Sequence, residues 1–172
     1  MFGAVGIQVS EERFAAAELG ARAKLVDSMN GGSNGMEPKA WKRYFKRIFK
    51  ESGVPWWKMR RVARETKAAH LAAHLWTHVH DDTRTALRQL RDDGYRLGVI
   101  SNADGTVEDL LETVGLRPHF EFVIDSGTMP WEKPDRRIFE DALGRLAVDA
   151  RESLYVGDLY HVDVLGARQA GM

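Results

Sequence analysis

The chain predicts an α/β fold, and three observations lead there. From Asp82 onward the apolar pattern alternates between helical stripes and short strand-like runs, the mark of a parallel sheet flanked by helices with right-handed crossovers. Residues 10–78 show only helical spacing, so an α-helical region precedes the sheet. In the second region three polar motifs follow in order: Ser101-Asn102 after the apolar run 97–100, Lys133-Pro134-Asp135, and Gly157-Asp158 after the run 154–156, with Asp163 five residues on. Polar residues just beyond the carboxyl ends of buried parallel strands sit where ligands bind, so the motifs are read as one site.

Element by element, Ser10 with Glu11 and Glu12 reads as an N-cap and acidic first turn, and Phe14, Ala17, Ala21 and Leu25 follow at helical spacing. This helix is expected to end before the loop 28–35, with its Asn-Gly-Gly-Ser-Asn-Gly run. Pro38 opens a second helix with the stripe Trp41, Tyr44, Phe45, Ile48 and Phe49, closed by Gly53. Pro55 opens a third, carrying Trp56, Trp57, Val62, Leu71, Leu75 and Trp76. Four of the five Trp fall in this half and are expected in its core. Next come a helix through Leu87 and Leu90 stopped by Gly94, a strand over 95–100, and a helix over 106–114 ended by Gly115. A second strand is expected over 120–124, a helix with the stripe Ile138, Phe139, Ala142, Leu143 and Leu146, and a third strand over 154–156.

With 172 residues and 44% hydrophobic content the chain can bury a real core. It has no cysteine, hence no disulfide framework and no thiolate metal site, which is compatible with a reducing compartment. No apolar run is long enough to span a bilayer, and the short apolar start lacks a basic segment, so the expected localisation is cytoplasmic, with no membrane partner. A net charge of zero conceals an asymmetry: residues 37–75 carry +8 and residues 81–172 carry −7. The basic stretch is read either as solvated helix faces or as a field that draws in anionic substrates. Neutral overall charge and the lack of a known reading motif speak against a nucleic-acid partner. His70, His74 and His78 share a helix face, but no further acidic or Cys ligand lies nearby, so they are expected to be structural or solvent-facing.

The ordered set Ser101-Asn102, Glu132-Lys133-Pro134-Asp135 and Gly157-Asp158 with Asp163 resembles the second, third and fourth motifs of the haloacid dehalogenase (HAD) superfamily. The resemblance runs from about Val79 to Met172 and implies a partial Rossmann-like core over 81–172, with residues 1–80 as the inserted α-helical cap domain. It implies a Mg2+-dependent phosphatase acting on a small phosphate ester through an aspartyl-phosphate. Ser101, Asn102 and Lys133 would then bind the phosphoryl group. Asp158 would be a magnesium ligand, and Asp163 a further ligand or an acceptor that holds the site together. The dehalogenases proper lack the carboxylate at Asp158, so that branch is the weaker alternative.

The family's first motif, a strand ending in Asp-x-Asp that supplies the nucleophile, has no counterpart here. Asn102-Ala103-Asp104-Gly105-Thr106 looks superficially like it, but Lys133 and Asp158 follow at the distances of a second motif, and Asp104 is read as a turn or helix-start residue. The expectation is therefore a fragment of a HAD-type hydrolase, inactive on its own and lacking the central strand. The alternative is a phosphate- and magnesium-binding pseudoenzyme or regulatory module.

Overall fold

The computed structural model describes residues 6–30, 38–73 and 77–172. The chain forms two compact units, residues 1–75 and 76–172.

The first unit is helical, built from α1 (Glu11–Asn30), α2 (Pro38–Glu51) and α3 (Met59–Ala73). Ser10 caps α1 as expected, its hydroxyl accepting the Arg13 N–H at 3.2 Å. The helix does not stop before residue 28 but runs to Asn30, with the Ser28 hydroxyl donating back to the Leu25 carbonyl at 2.7 Å. Residues 31–35 of the expected loop lie outside the described residues. Along α2 the predicted stripe delivers Ile48 and Phe49 to a core shared with Ala21, Val54 and Val62, bordered by Phe14, Tyr44, Phe45 and Met59. Gly53 closes the helix at φ +86°, a conformation that L side chains rarely adopt.

The tryptophans correct the sequence reading. Trp56 is 81% and Trp57 66% exposed, Trp41 is only partly buried, and Trp76 lies outside the described residues. The reason is helical phase. A three-residue 3₁₀ turn (Trp56–Lys58) leads into α3, and the inward face runs through Met59, Val62 and Thr66, which leaves Trp56 and Trp57 off that face. Leu71 is likewise exposed.

The second unit contains α4 (Thr83–Asp92), β1 (Gly98–Ser101), α5 (Val107–Thr113), β2 (Phe122–Asp125), α6 (Arg136–Leu146) and α7 (Leu165–Gln169). β1 and β2 pair in parallel, with Gly98 opposite Phe122 and Ser101 opposite Asp125. Both strands begin later than the apolar runs suggested. Arg96, ahead of β1, is held by a bidentate pair with Glu121 at 2.8 and 2.5 Å and by the Leu146 carbonyl, an arrangement outside the ladder.

The expected third strand is not formed. Leu154 and Val156 are 87% and 83% exposed, and among the described residues the sheet has two strands. A strand exists only through its neighbour, and none pairs with residues 154–156. The core is instead made by one face of the small sheet and two helices: Phe122, Ile124, Ile138, Phe139, Ala142 and Ala167. Ile138 and Phe139 are fully buried, each contributing about 1.5–3 kcal/mol by removal from water. Asp135 caps α6 through the Arg137 N–H at 3.0 Å. A π-helical turn (Tyr160–Val164) runs directly into α7. Gly166 there meets α6 so closely that a Cβ would lie 2.6 Å from the Phe139 ring. No helix among the described residues is long and apolar enough to cross a membrane.

Candidate active site

β1 ends at Ser101, half-buried and in register with Asp125 at the end of β2. The Asp125 carboxylate accepts the Gly127 N–H at 2.9 Å and the Val107 N–H at 3.1 Å, tying the end of β2 to the start of α5. The turn at 126–128 lies flush against the loop after β1, since a Cβ on Gly127 would come within 2.4 Å of the Gly105 nitrogen. Asp104 sits in that loop and accepts the Thr106 hydroxyl at 2.6 Å.

Asn102 makes the decisive connection. Its amide oxygen accepts the Lys133 N–H and its amide nitrogen donates to the Lys133 carbonyl, both at 2.8 Å. A side-chain amide satisfying both backbone groups of one residue fixes that residue's place relative to the end of β1. The Lys133 ammonium then donates to Asp163 Oδ1 and to the Tyr155 hydroxyl, each at 2.7 Å. The Lys133 and Asp163 side chains are only 10% and 4% exposed. The other Asp163 oxygen accepts the Leu159 N–H at 2.9 Å, so both carboxylate oxygens are engaged by protein donors. Gly157 makes room for this carboxylate, because a Cβ there would lie 2.3 Å from Asp163 Cγ.

Asn102, Lys133 and Asp163 are thus brought together by direct hydrogen bonds, and Ser101 adjoins Asn102 in the chain. Asp158 is exposed at the rim, and its charge reaches the Tyr155 phenol. Burial above all, then the negative charge of Asp163 and its hydrogen bond, hold that phenol well above the ordinary tyrosine range. No group of three His, Cys, Asp or Glu residues among the described residues could hold a metal by itself, and His74 lies outside them.

Two participants escaped the sequence reading. Tyr155 reads as one residue of a uniform apolar run, although alternation along Leu154, Tyr155 and Val156 places its side chain opposite its neighbours'. Asp125 follows the run 122–124 as Ser101 follows 97–100, so the signal that found Ser101 was present there too.

A family model described as haloacid dehalogenase-like hydrolase matches residues 39–172. A haloacid dehalogenase-like hydrolase domain-containing protein 3 from Bos taurus is 45% identical over 94 residues, which cover 55% of this chain and 38% of that protein. A glyceraldehyde 3-phosphate phosphatase from Methanothermobacter thermautotrophicus is 40% identical over 92 residues, 53% of this chain and 41% of that protein. The crystal structure of a HAD phosphatase from Thermococcus onnurineus matches with a TM-score of 0.55 and 25% identity, over 94% of this chain and 71% of that one. The chain spans about two fifths of the length of these two curated relatives. With a family match over most of its length, and with Asn102, Lys133 and Asp163 joined by hydrogen bonds beside the end of β1, the chain belongs to the haloacid dehalogenase-like hydrolases.

Proposed function

We propose that this chain carries the phosphoryl-handling part of a magnesium-dependent phosphatase acting on a small phosphate ester. The observation that carries the reading is the clamped lysine. A buried lysine whose backbone is fixed by Asn102 and whose ammonium is held by Asp163 and Tyr155 beside the end of β1 is a cation held in place before any substrate arrives. Phosphoryl transfer rewards such pre-positioned charge, because positioning and electrostatic stabilisation do most of the catalytic work.

The geometry supports the following roles. The Ser101 hydroxyl and the backbone N–H groups after β1 bind phosphoryl oxygens, and Lys133 offsets their charge. Asp163 and Asn102 position Lys133; with both its oxygens engaged, Asp163 fits the holding role better than that of a ligand. Asp158, an exposed carboxylate, suits Mg2+, which binds through one or two carboxylates together with waters and phosphate oxygens. When bound, the ion would supply further charge neutralisation to the phosphoryl group. The nucleophilic carboxylate of an aspartyl-phosphate route is not among these residues, and the sequence has no Asp-x-Asp. In this reading residues 1–80 are the helical cap domain and 81–172 the α/β core. The setting is the cytoplasm, in keeping with the lack of cysteine.

The test is hydrolysis of p-nitrophenyl phosphate by the chain joined to an upstream strand ending in Asp-x-Asp. Magnesium-dependent turnover that Asp158→Asn abolishes without unfolding the protein supports the reading. Full activity in EDTA overturns it. The 172-residue chain alone is expected to show no turnover, since losing a nucleophile removes many orders of magnitude in rate.

A further inference from the structure

The exposed tryptophan pair of the helical unit has no part in the chemistry above. Large aromatics are mostly buried, because leaving them in water forfeits the strongest apolar contribution a side chain makes. Here Trp56 and Trp57 stand next to each other on a three-residue turn, 81% and 66% exposed, ring edge against ring face at 5.9 Å. The exposed residues that follow along α3 include the cations Arg60, Arg61, Arg64 and Lys67, of which Arg64 is paired with Glu65 at 3.1 Å. The stretch 37–75 holds eleven Lys or Arg against three Asp or Glu.

We infer that this turn docks the protein peripherally on an anionic lipid bilayer, the two indoles entering the headgroup region while the arginines meet lipid phosphates and carboxylates. Indole rings favour the membrane–water boundary, having an apolar body and a polar N–H, and basic residues beside them add attraction to an anionic leaflet. The charge pattern selects this occupant. A neutral protein surface would leave Arg60 and Arg61 unmatched. The near-perpendicular rings, at 89°, do not offer the pair of parallel faces on which successive nucleic-acid bases stack. Attachment would be peripheral, since no helix among the described residues is long and apolar enough to span a bilayer. It adds a membrane partner where the sequence reading expected none.

The test is co-sedimentation of the whole chain with phosphatidylcholine vesicles, with and without phosphatidylserine, at low and high salt. Binding is expected only to the phosphatidylserine vesicles, with tryptophan emission shifted to the blue and quenched by brominated lipid in the wild-type chain. Arg60→Glu/Arg61→Glu should weaken partition by about thirtyfold or more, from the contribution of each surface cation near an anionic leaflet. Trp56→Ser/Trp57→Ser should weaken it at least as far while leaving the far-ultraviolet circular dichroism melt unchanged, because both side chains are exposed. No binding to phosphatidylserine vesicles overturns the proposal. So does unaltered binding by the Trp double variant, or tryptophan-dependent capture of RNA or DNA oligonucleotides in place of vesicles. None of these outcomes bears on the phosphatase reading, whose residues lie in the other unit.

Discussion

Both units carry ion pairs on their surfaces, but among the described residues only the α/β unit holds one out of water. In the helical unit the ion pairs among the described residues lie on the surface, for example Arg22 with Glu18, Lys24 with Asp27 and Arg47 with Glu51, each within one helix and each accessible to water. Such pairs contribute about 0–1 kcal/mol and are screened by salt. In the α/β unit Lys133 and Asp163 meet at 2.7 Å out of water, thirty residues apart in the chain, with Tyr155 and the Leu159 N–H filling the remaining positions. Removing two charges from water costs several kcal/mol per ion, which mutual attraction and hydrogen bonds offset only when the geometry is good. Surface charges in either unit, such as Arg47 with Glu51 or Arg145 with Asp141, are therefore expendable one at a time, whereas Lys133 and Asp163 stand or fall together.

The sharpest way to break this contrast is Lys133→Met, which leaves Asp163 charged and buried. It should destabilise the α/β unit by roughly 3–5 kcal/mol in chemical denaturation, and Lys133→Met/Asp163→Leu should recover much of the loss. A single-variant loss of under about 1 kcal/mol would mean that the pair behaves like a surface one. Gly157→Ala comes next. Its Cβ would collide with the Asp163 carboxylate, and the forced shift should cost about 1–3 kcal/mol by the same assay.

Alkaline pH gives a third handle. Because the Tyr155 phenol ionises less readily in the folded state, its contribution is fully present below the unfolded tyrosine value of about 10 and is lost as pH rises beyond it. The stability of the wild-type chain should fall over that range more steeply than that of Tyr155→Phe, as measured by urea midpoints against pH.

Asp135 supplies the opposite sign. The Arg137 guanidinium and its N–H hold the Asp135 carboxyl down from 3.8 to about 2, so its contribution exists above the unfolded value and disappears as pH falls through about 2. Asp135→Ala should therefore lower stability by about 1 kcal/mol near neutrality, through the lost α6 cap, with the difference from wild type vanishing in acid. The smallest effect belongs to the helical unit: Arg47→Met should change stability by less than about 0.5 kcal/mol.

How much of this could be read beforehand depended on the kind of signal. Helical stripes were legible because burial along α2 and α6 follows the 3.6-residue period, and Ile48, Phe49, Ile138 and Phe139 are buried. The order of the polar motifs led to Asn102, Lys133 and Asp163, although only Asn102 follows a strand, and the other two join it through a chain of hydrogen bonds. What periodicity could not supply was phase and partnership. Trp56 and Trp57 fit a helical run but fall off its inward face. The run 154–156 had strand composition without a neighbouring strand to bond. Tyr155 was hidden because its role lies in one hydroxyl reaching across to Lys133, a long-range contact that no local pattern encodes.

The central claim is that Ser101, Asn102, Lys133 and Asp158 form one phosphate site, and backbone amide NMR of the 172-residue chain tests it directly. Titration with inorganic phosphate should move the amides of residues 101–103 and of Lys133. Mg2+ should tighten the response and add shifts around Asp158, and Asp158→Asn should remove the magnesium effect. Phosphate-induced shifts confined to the basic helices, with residues 101–103 and Lys133 unmoved in the presence of Mg2+, would contradict the account.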